Sequence, residues 1–262
     1  MRYAANLSLM FAEYDQLDRF KKAAEAGFTH VEMLFPFLFD LDRVERELKD
    51  NGLTMILFDS DVGNFAGGDR GYLCDPSQKE RLYQTVKDAI ALAPRLGTTL
   101  INVLAGKLPA GVSREQGRAT AIENLRRVAP LAEAAGITLV SEGLNTVANP
   151  GYFLDHSALG FEIVDAVNSP NVKFQYDVFH MQIMEGNLID TIMKNVDKIA
   201  HIQIADNPGR HEPGTGEINY TNVLKAIDES GYGGFVALEY VPAAGTEDGL
   251  DTWLPRAARS NR

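Results

Sequence analysis

Four side chains that carry oxygen recur along the second half of the chain: Glu142, Asp177, Gln203 and Glu239. The intervals between them are about 30 residues, the length of one βα unit. Each closes, or nearly closes, an apolar run suited to a buried strand, at 137–140, 172–177, 199–205 and 235–238. In a parallel barrel the C-terminal strand ends converge on one mouth, so residues this far apart in sequence meet in space. Two glutamates, one aspartate and one amide oxygen form a hard, all-oxygen donor set. Such a set favours Mg2+ or Mn2+ over zinc, with cobalt compatible. One such acid alone would read as a salt-bridged or solvated strand end. Several on consecutive strands are too costly to bury without a cation.

Other residues could surround that cation with substrate contacts. His180, three residues after Asp177, could polarise a substrate oxygen; its structural alternative is a helix-capping role in the barrel wall. Arg210 lies in the glycine-rich loop 206–218 and suits a bidentate clamp on a substrate carboxylate, the alternative being a surface ion pair. Glu32, at the end of a second strand, and Lys107, in the loop after a fourth, are further candidates to face the mouth.

The elements that must position these residues are legible in a repeated junction. An amphipathic helix ends at a glycine and a β-branched apolar run follows at once, after Gly27, Gly52, Gly97, Gly136 and Gly231. Glycine past a helix end takes the left-handed conformation without a Cβ penalty, and unbroken apolar runs suit strands buried on both faces. With runs at 2–7, 172–177 and 199–205 the strand count reaches eight. Helical patterns lie between them, near 15–26, 40–50, 78–95, 114–135, 156–168, 185–196 and 219–230, with a helical tail near 247–258. Ser113 and Gln116 have capping-box spacing for the helix that starts at 114. Strict alternation predicts an α/β fold, a closed (β/α)8 TIM barrel as one domain over 1–262, with a doubly wound open sheet as the alternative. The longest loop, 59–76, carries four glycines without a phosphate-binding fingerprint; it reads as a surface excursion or as a lid over a pocket.

Composition narrows the partners. A net charge of −11 repels phosphate backbones and anionic headgroups, which argues against nucleic acid and membrane surfaces. A small anionic substrate stays compatible, because one or two cations inside a pocket override the mean field locally. Cys74 is the sole cysteine, so neither an intramolecular disulfide nor a thiolate metal cluster can form. No apolar run reaches the roughly 20 residues of a membrane span, and no signal-peptide pattern opens the chain. The expectation is a cytoplasmic protein, with homo-oligomer formation left open.

Several stretches resemble the hydroxypyruvate isomerase family. They are Ala4-Ala5-Asn6-Leu7-Ser8, Val31-Glu32-Met33-Leu34-Phe35-Pro36, Asp177-Val178-Phe179-His180 and His201-Ile202-Gln203-Ile204-Ala205-Asp206. The loop Gly209-Arg210-His211-Glu212-Pro213-Gly214 through Gly216-Glu217-Ile218-Asn219-Tyr220 is the most specific part. The resemblance covers nearly the whole chain and places it among xylose-isomerase-like barrels, together with ketose 3-epimerases and an endonuclease branch. It implies interconversion of hydroxypyruvate and tartronate semialdehyde, Glu142 and Glu239 as paired acid and base, Asp177 and Gln203 completing a metal site, and His180 and Arg210 holding the substrate. Two departures stand out. Related epimerases have histidine where Gln203 stands, and Gly143 follows Glu142 where a bulkier residue is expected. Alternatives are a 2-oxo-tetronate isomerase or ketose 3-epimerase, an abasic-site nuclease, which acidity and five histidines disfavour, and a non-catalytic sugar-acid binder.

Overall fold

A computed structural model describes residues 1–260. Eight parallel strands close into a barrel in sequence order, β1 (Arg2–Asn6), β2 (His30–Glu32), β3 (Thr54–Asp59), β4 (Leu100–Asn102), β5 (Thr138–Glu142), β6 (Val172–Asp177), β7 (Ile199–Ile204) and β8 (Phe235–Leu238). The open-sheet alternative is thereby excluded, since β1 pairs with β8 as well as with β2. Outside the strands run α1 (Arg19–Glu25), α2 (Leu41–Asp50), α3 (Lys79–Leu96), α4 (Arg114–Ala134) and α5 (Ser157–Val167). They are followed by α6 (Val178–Met184), α7 (Leu188–Asn195), α8 (Tyr220–Glu229), α9 (Thr246–Trp253) and α10 (Arg256–Arg259).

The local signals act as the sequence implies. Gly97 and Gly136 take φ of 70° and 68° at the ends of α3 and α4. The Ser113 hydroxyl accepts from Gln116 N–H at 3.2 Å and the Gln116 side chain accepts from Ser113 N–H at 2.9 Å, closing the capping box. The sequence pattern differs from the fold in two places. A helix near 185–196 is expected, whereas α6 leaves β6 directly and α7 follows after Gly186 (φ 61°) and Asn187 (φ 47°). The cause is Asp177, whose carboxylate accepts from the N–H groups of Phe179 (2.7 Å) and His180 (3.2 Å) and so starts a helix on the last residue of the strand. The tail is broken into α9 and α10 at Pro255, whose ring cannot continue the first helix.

Most of the core lies between strands and helices, built from residues such as Val31, Phe58, Ile101, Leu139, Phe174 and Ile202. A smaller cluster, Ala4, Ile56, Leu57, Val140 and Ala237, packs separately. Side chains two apart on a strand share a face. Val140 is therefore aligned with Glu142, Ala4 with Asn6 and Ala237 with Glu239, which places a polar layer on top of a small apolar plug.

Candidate functional site

Each strand carries a polar residue at or next to its end: Asn6, Glu32, Asp59, Asn102, Glu142, Asp177, Gln203, one residue before the end of β7, and, just past β8, Glu239, all buried. Hydrogen bonds join them around the barrel. Asn102 Nδ2 donates to Glu142 Oε2 at 3.0 Å. Asn6 Nδ2 donates to both Glu32 Oε1 (2.8 Å) and Glu239 Oε1 (3.1 Å). Gln203 Nε2 donates to Glu32 Oε1 at 2.7 Å, and Gln203 Oε1 accepts from Gln175 Nε2 at 2.6 Å. Above the layer a cavity of about 220 Å3 opens, lined by Asp59, Glu142, His180, Arg210 and Glu239, with Leu9, Leu34, Phe65, Leu104 and Arg70 among its walls.

Arg210 reaches this cavity from a loop built to aim it. Asp206 accepts from the N–H groups of Asn207 (2.9 Å), Gly214 (2.8 Å) and Ile218 (3.1 Å), folding the loop onto one carboxylate. Arg210 itself has φ of 57°, a left-handed conformation that costs a non-glycine residue about 1–3 kcal/mol. Bonds from Arg210 N–H to Asp206 O (3.0 Å) and from Val241 N–H to Arg210 O (2.9 Å) hold it there. Its guanidinium hydrogen-bonds the Glu239 carboxylate and lies 3.7 Å from Asp177 Oδ2.

One arginine does not neutralise the acids it faces. Burial, then the charges of Glu239, Asp177 and Asp59, push the Glu142 carboxyl well above the usual range, with Arg210 opposing. Burial does the same to Glu239; Arg210 pulls it down, while Asp177, Glu32 and Asp59 push it up. Burial raises Asp177 to about 6 against the downward pull of Arg210 and of the N–H groups of His180 and Phe179. Burial also lifts Asp59 well above its ordinary value. His180 is depressed well below its ordinary value by burial and by Arg210, so it is neutral. Its Nδ1 accepts from Asn145 N–H at 3.1 Å, which leaves the proton on Nε2, 3.5 Å from Asp177 Oδ2.

The arrangement fits a cation. Asp177 Oδ2 is buried with no hydrogen-bond partner among the described residues. Ligand atoms of Glu142, Asp177 and His180 lie within 4.8 Å of one another, close enough to enclose one metal ion.

Of the sequence candidates, Glu142, Asp177, His180, Arg210 and Glu239 come together at one place. Gln203 is beside them, with its amide shared between Gln175 and Glu32. Glu32 does not line the cavity: wholly buried, it accepts from Asn6, Gln203 and His201 Nε2 (2.7 Å), which take up both of its carboxylate oxygens. Lys107 is exposed and borders a separate cavity with Asp75 and Arg81. The sequence reading overlooked Asp59, Asn6, Asn102 and Arg70. The first three carry a signal, a polar residue closing an apolar strand; Arg70 lies in the 59–76 loop, which supplies cavity wall through Asp59, Phe65 and Arg70. Gly143 has a local reason, since a Cβ there would stand 2.9 Å from Met181 Cε and 3.2 Å from Phe174 Cζ.

Comparison with known proteins agrees with this geometry. Residues 20–257 match the family model of the xylose isomerase-like TIM barrel. The chain is 45% identical to hydroxypyruvate isomerase of Escherichia coli K12, covering 97% of this chain and 98% of that one. It is 42% identical to 2-oxo-tetronate isomerase of Cupriavidus necator, covering 97% of each. A crystal structure described as an AP endonuclease, family 2, from Brucella melitensis superposes with a TM-score of 0.93 at 41% identity, over 97% of this chain and 98% of that one.

Proposed function

Because the chain belongs to the xylose isomerase-like TIM barrel family, within its hydroxypyruvate isomerase group, we propose that this isomerase interconverts hydroxypyruvate and tartronate semialdehyde by moving a proton between adjacent carbons. The observation that carries the reading is the pair Glu142 and Glu239. Both are buried at one cavity, and burial raises both carboxyl groups well above their ordinary value, as suits groups that take and return protons.

In this reading one glutamate removes the proton from the hydroxymethyl carbon of hydroxypyruvate, and the other delivers one to the former carbonyl carbon. Each positioned acid or base contributes about 10²–10⁴-fold. Asn102 holds the Glu142 carboxylate and Asn6 that of Glu239, so neither has to be oriented during the reaction. His180, neutral and protonated on Nε2, presents a hydrogen-bond donor to a substrate oxygen. Arg210 steadies Glu239 and stands at the same cavity. Glu142, Asp177, Gln203 and Glu239 would hold a divalent cation, Mg2+ or Mn2+ by the hardness of the set, whose charge would stabilise the oxygens of an enediolate. With its Nε2 given to Glu32, Gln203 keeps its oxygen's second lone pair for this purpose. Among the donors, His180 is the hydrogen-bond partner and the carboxylates are the ligands, since Nδ1 is engaged by Asn145 and Nε2 carries the proton.

A volume of about 220 Å3 is below the roughly 300 Å3 at which pockets for drug-sized ligands begin, which suits a three- or four-carbon acid. A four-carbon 2-oxo acid is the second reading, favoured by the identity to the Cupriavidus necator enzyme. A nucleic-acid substrate is disfavoured by a charge of −11. The test is an NMR assay of turnover with hydroxypyruvate and four-carbon 2-oxo acids side by side. Turnover of hydroxypyruvate at the higher kcat/KM supports the first reading, preference for the four-carbon acid moves the assignment to the second, and turnover of neither rejects both.

A further inference from the structure

Two guanidinium groups border the cavity, and they differ in how their charge is met. Arg210 is answered by Glu239 and Asp177, so little of its field is left for a ligand. Arg70 has no carboxylate partner among the described residues. Its Nε donates to Asn149 Oδ1 at 2.7 Å, and its Nη1 to the carbonyl oxygens of Phe65 (3.0 Å) and Asp69 (2.7 Å). The Asp69 carboxylate turns away to accept from Asn64 N–H at 2.8 Å. The guanidinium stacks over the Phe65 ring at 4.1 Å, and its Nη2 has no hydrogen-bond partner among the described residues. Neutral acceptors thus fix the plane of the group without cancelling its charge.

The support is itself built in. Asn149 is buried and accepts its place from Asn145, to whose carbonyl its own N–H donates at 3.1 Å; Asn145 is also the residue that sets the His180 tautomer. An unneutralised, pre-oriented cation therefore shares a small cavity with Asp59, Glu142 and Glu239. Those acids offer an anionic ligand no attraction, so among the side chains that line the cavity Arg70 is the one whose charge is left to meet an anion. We propose that Arg70, rather than Arg210, anchors the carboxylate of the substrate and so selects 2-oxo acids over neutral ketoses. The assignment rests on the 2-oxo acid reading above.

Calorimetric titration of the full chain with divalent metal present tests it, using two ligands. Pyruvate is a 2-oxo acid without a hydroxyl group to isomerise, and dihydroxyacetone carries a hydroxymethyl group in place of the carboxylate of hydroxypyruvate. A charge-assisted contact is worth about 10–100-fold in affinity. Arg70→Gln is expected to weaken pyruvate binding by that factor, lower the pyruvate-to-dihydroxyacetone affinity ratio equally, and raise the KM for hydroxypyruvate more than it lowers kcat. Arg70→Lys should fall between the two. Should Arg70→Gln not fold, Asn149→Ala, which frees Nε, is expected to shift the ratio in the same direction by less. An unchanged pyruvate Kd, or equal loss for the acid and the neutral ligand, overturns the assignment. If wild type binds pyruvate through Arg70 yet does not isomerise hydroxypyruvate, the anchor stands and the proposed reaction falls.

Discussion

Replacing Asp177 with asparagine removes one charge from the most crowded part of the site while keeping an oxygen for the N–H groups of Phe179 and His180. Asparagine and aspartate cap helices about equally well, so α6 retains its start. The carboxyl is raised from 3.8 to about 6, so it binds its proton more tightly in the folded chain than in the unfolded one. The resulting cost is absent below 3.8, grows as pH rises, and is complete above about 6, where it amounts to about 3 kcal/mol. At pH 4.5 it has fallen to about 1 kcal/mol. The new amide sets a donor beside Arg210 and His180, which takes back about 1 kcal/mol. In chelator at pH 7.5, Asp177→Asn is therefore expected to be more stable than wild type by about 1–2 kcal/mol, and at pH 4.5 the gain should vanish. A divalent metal at a hundred times its Kd adds about 2.7 kcal/mol to a protein that binds it, so Mg2+ or Mn2+ should reverse the order. Urea denaturation of both proteins at both pH values, with chelator and with metal, reads all of this. A variant less stable than wild type by more than about 1 kcal/mol in chelator at pH 7.5 would refute the reasoning, as would an equal gain from metal in both.

Glu142→Gln and Glu239→Gln are each expected to lower kcat by at least about 10²-fold with circular dichroism unchanged, because each removes one end of the proton path. Dialysis against chelator should abolish turnover, and added Mg2+ or Mn2+ should restore it; full activity in a sample shown metal-free by elemental analysis would mean that the carboxylates act alone. Gly143→Ala pushes a methyl group onto Met181 and Phe174 and should cost about 1–3 kcal/mol in urea unfolding. Glu32→Gln keeps an oxygen for Asn6 and Gln203 but sets an amino group against His201 Nε2, and a loss of about 1–3 kcal/mol is expected by the same measurement.

The barrel was legible because its signals are local. A glycine past five of the helices and a continuous apolar run after it identify αβ units, and alternation over the chain closes them. Glu142, Asp177 and Glu239 were legible for the same reason, each being a charged residue at the end of an apolar run. Asp59 belongs to the same class, but it stands at the boundary between β3 and the glycine-rich loop 59–76, where pattern alone does not separate a strand end from a loop start. Asn6 and Asn102 carry no charge, and only their bonds to Glu239 and Glu142 give them a role. Glu32 could not be told from Glu142 by pattern; its fate depends on how far β2 reaches and on His201 packing against it. Arg70 was hidden most deeply, because nothing local says that a glycine-rich loop returns over the mouth.

The claim that two glutamates pass a proton between neighbouring carbons is tested most directly by running the isomerisation of hydroxypyruvate in D2O and following product by NMR. Bases that exchange with solvent should place deuterium at the carbon that receives the proton, and neither Glu→Gln variant should form product at more than a small fraction of the wild-type rate. Product formed at the wild-type rate with the original hydrogen fully retained would exclude a relay through two exchanging carboxyl groups, and would contradict the account.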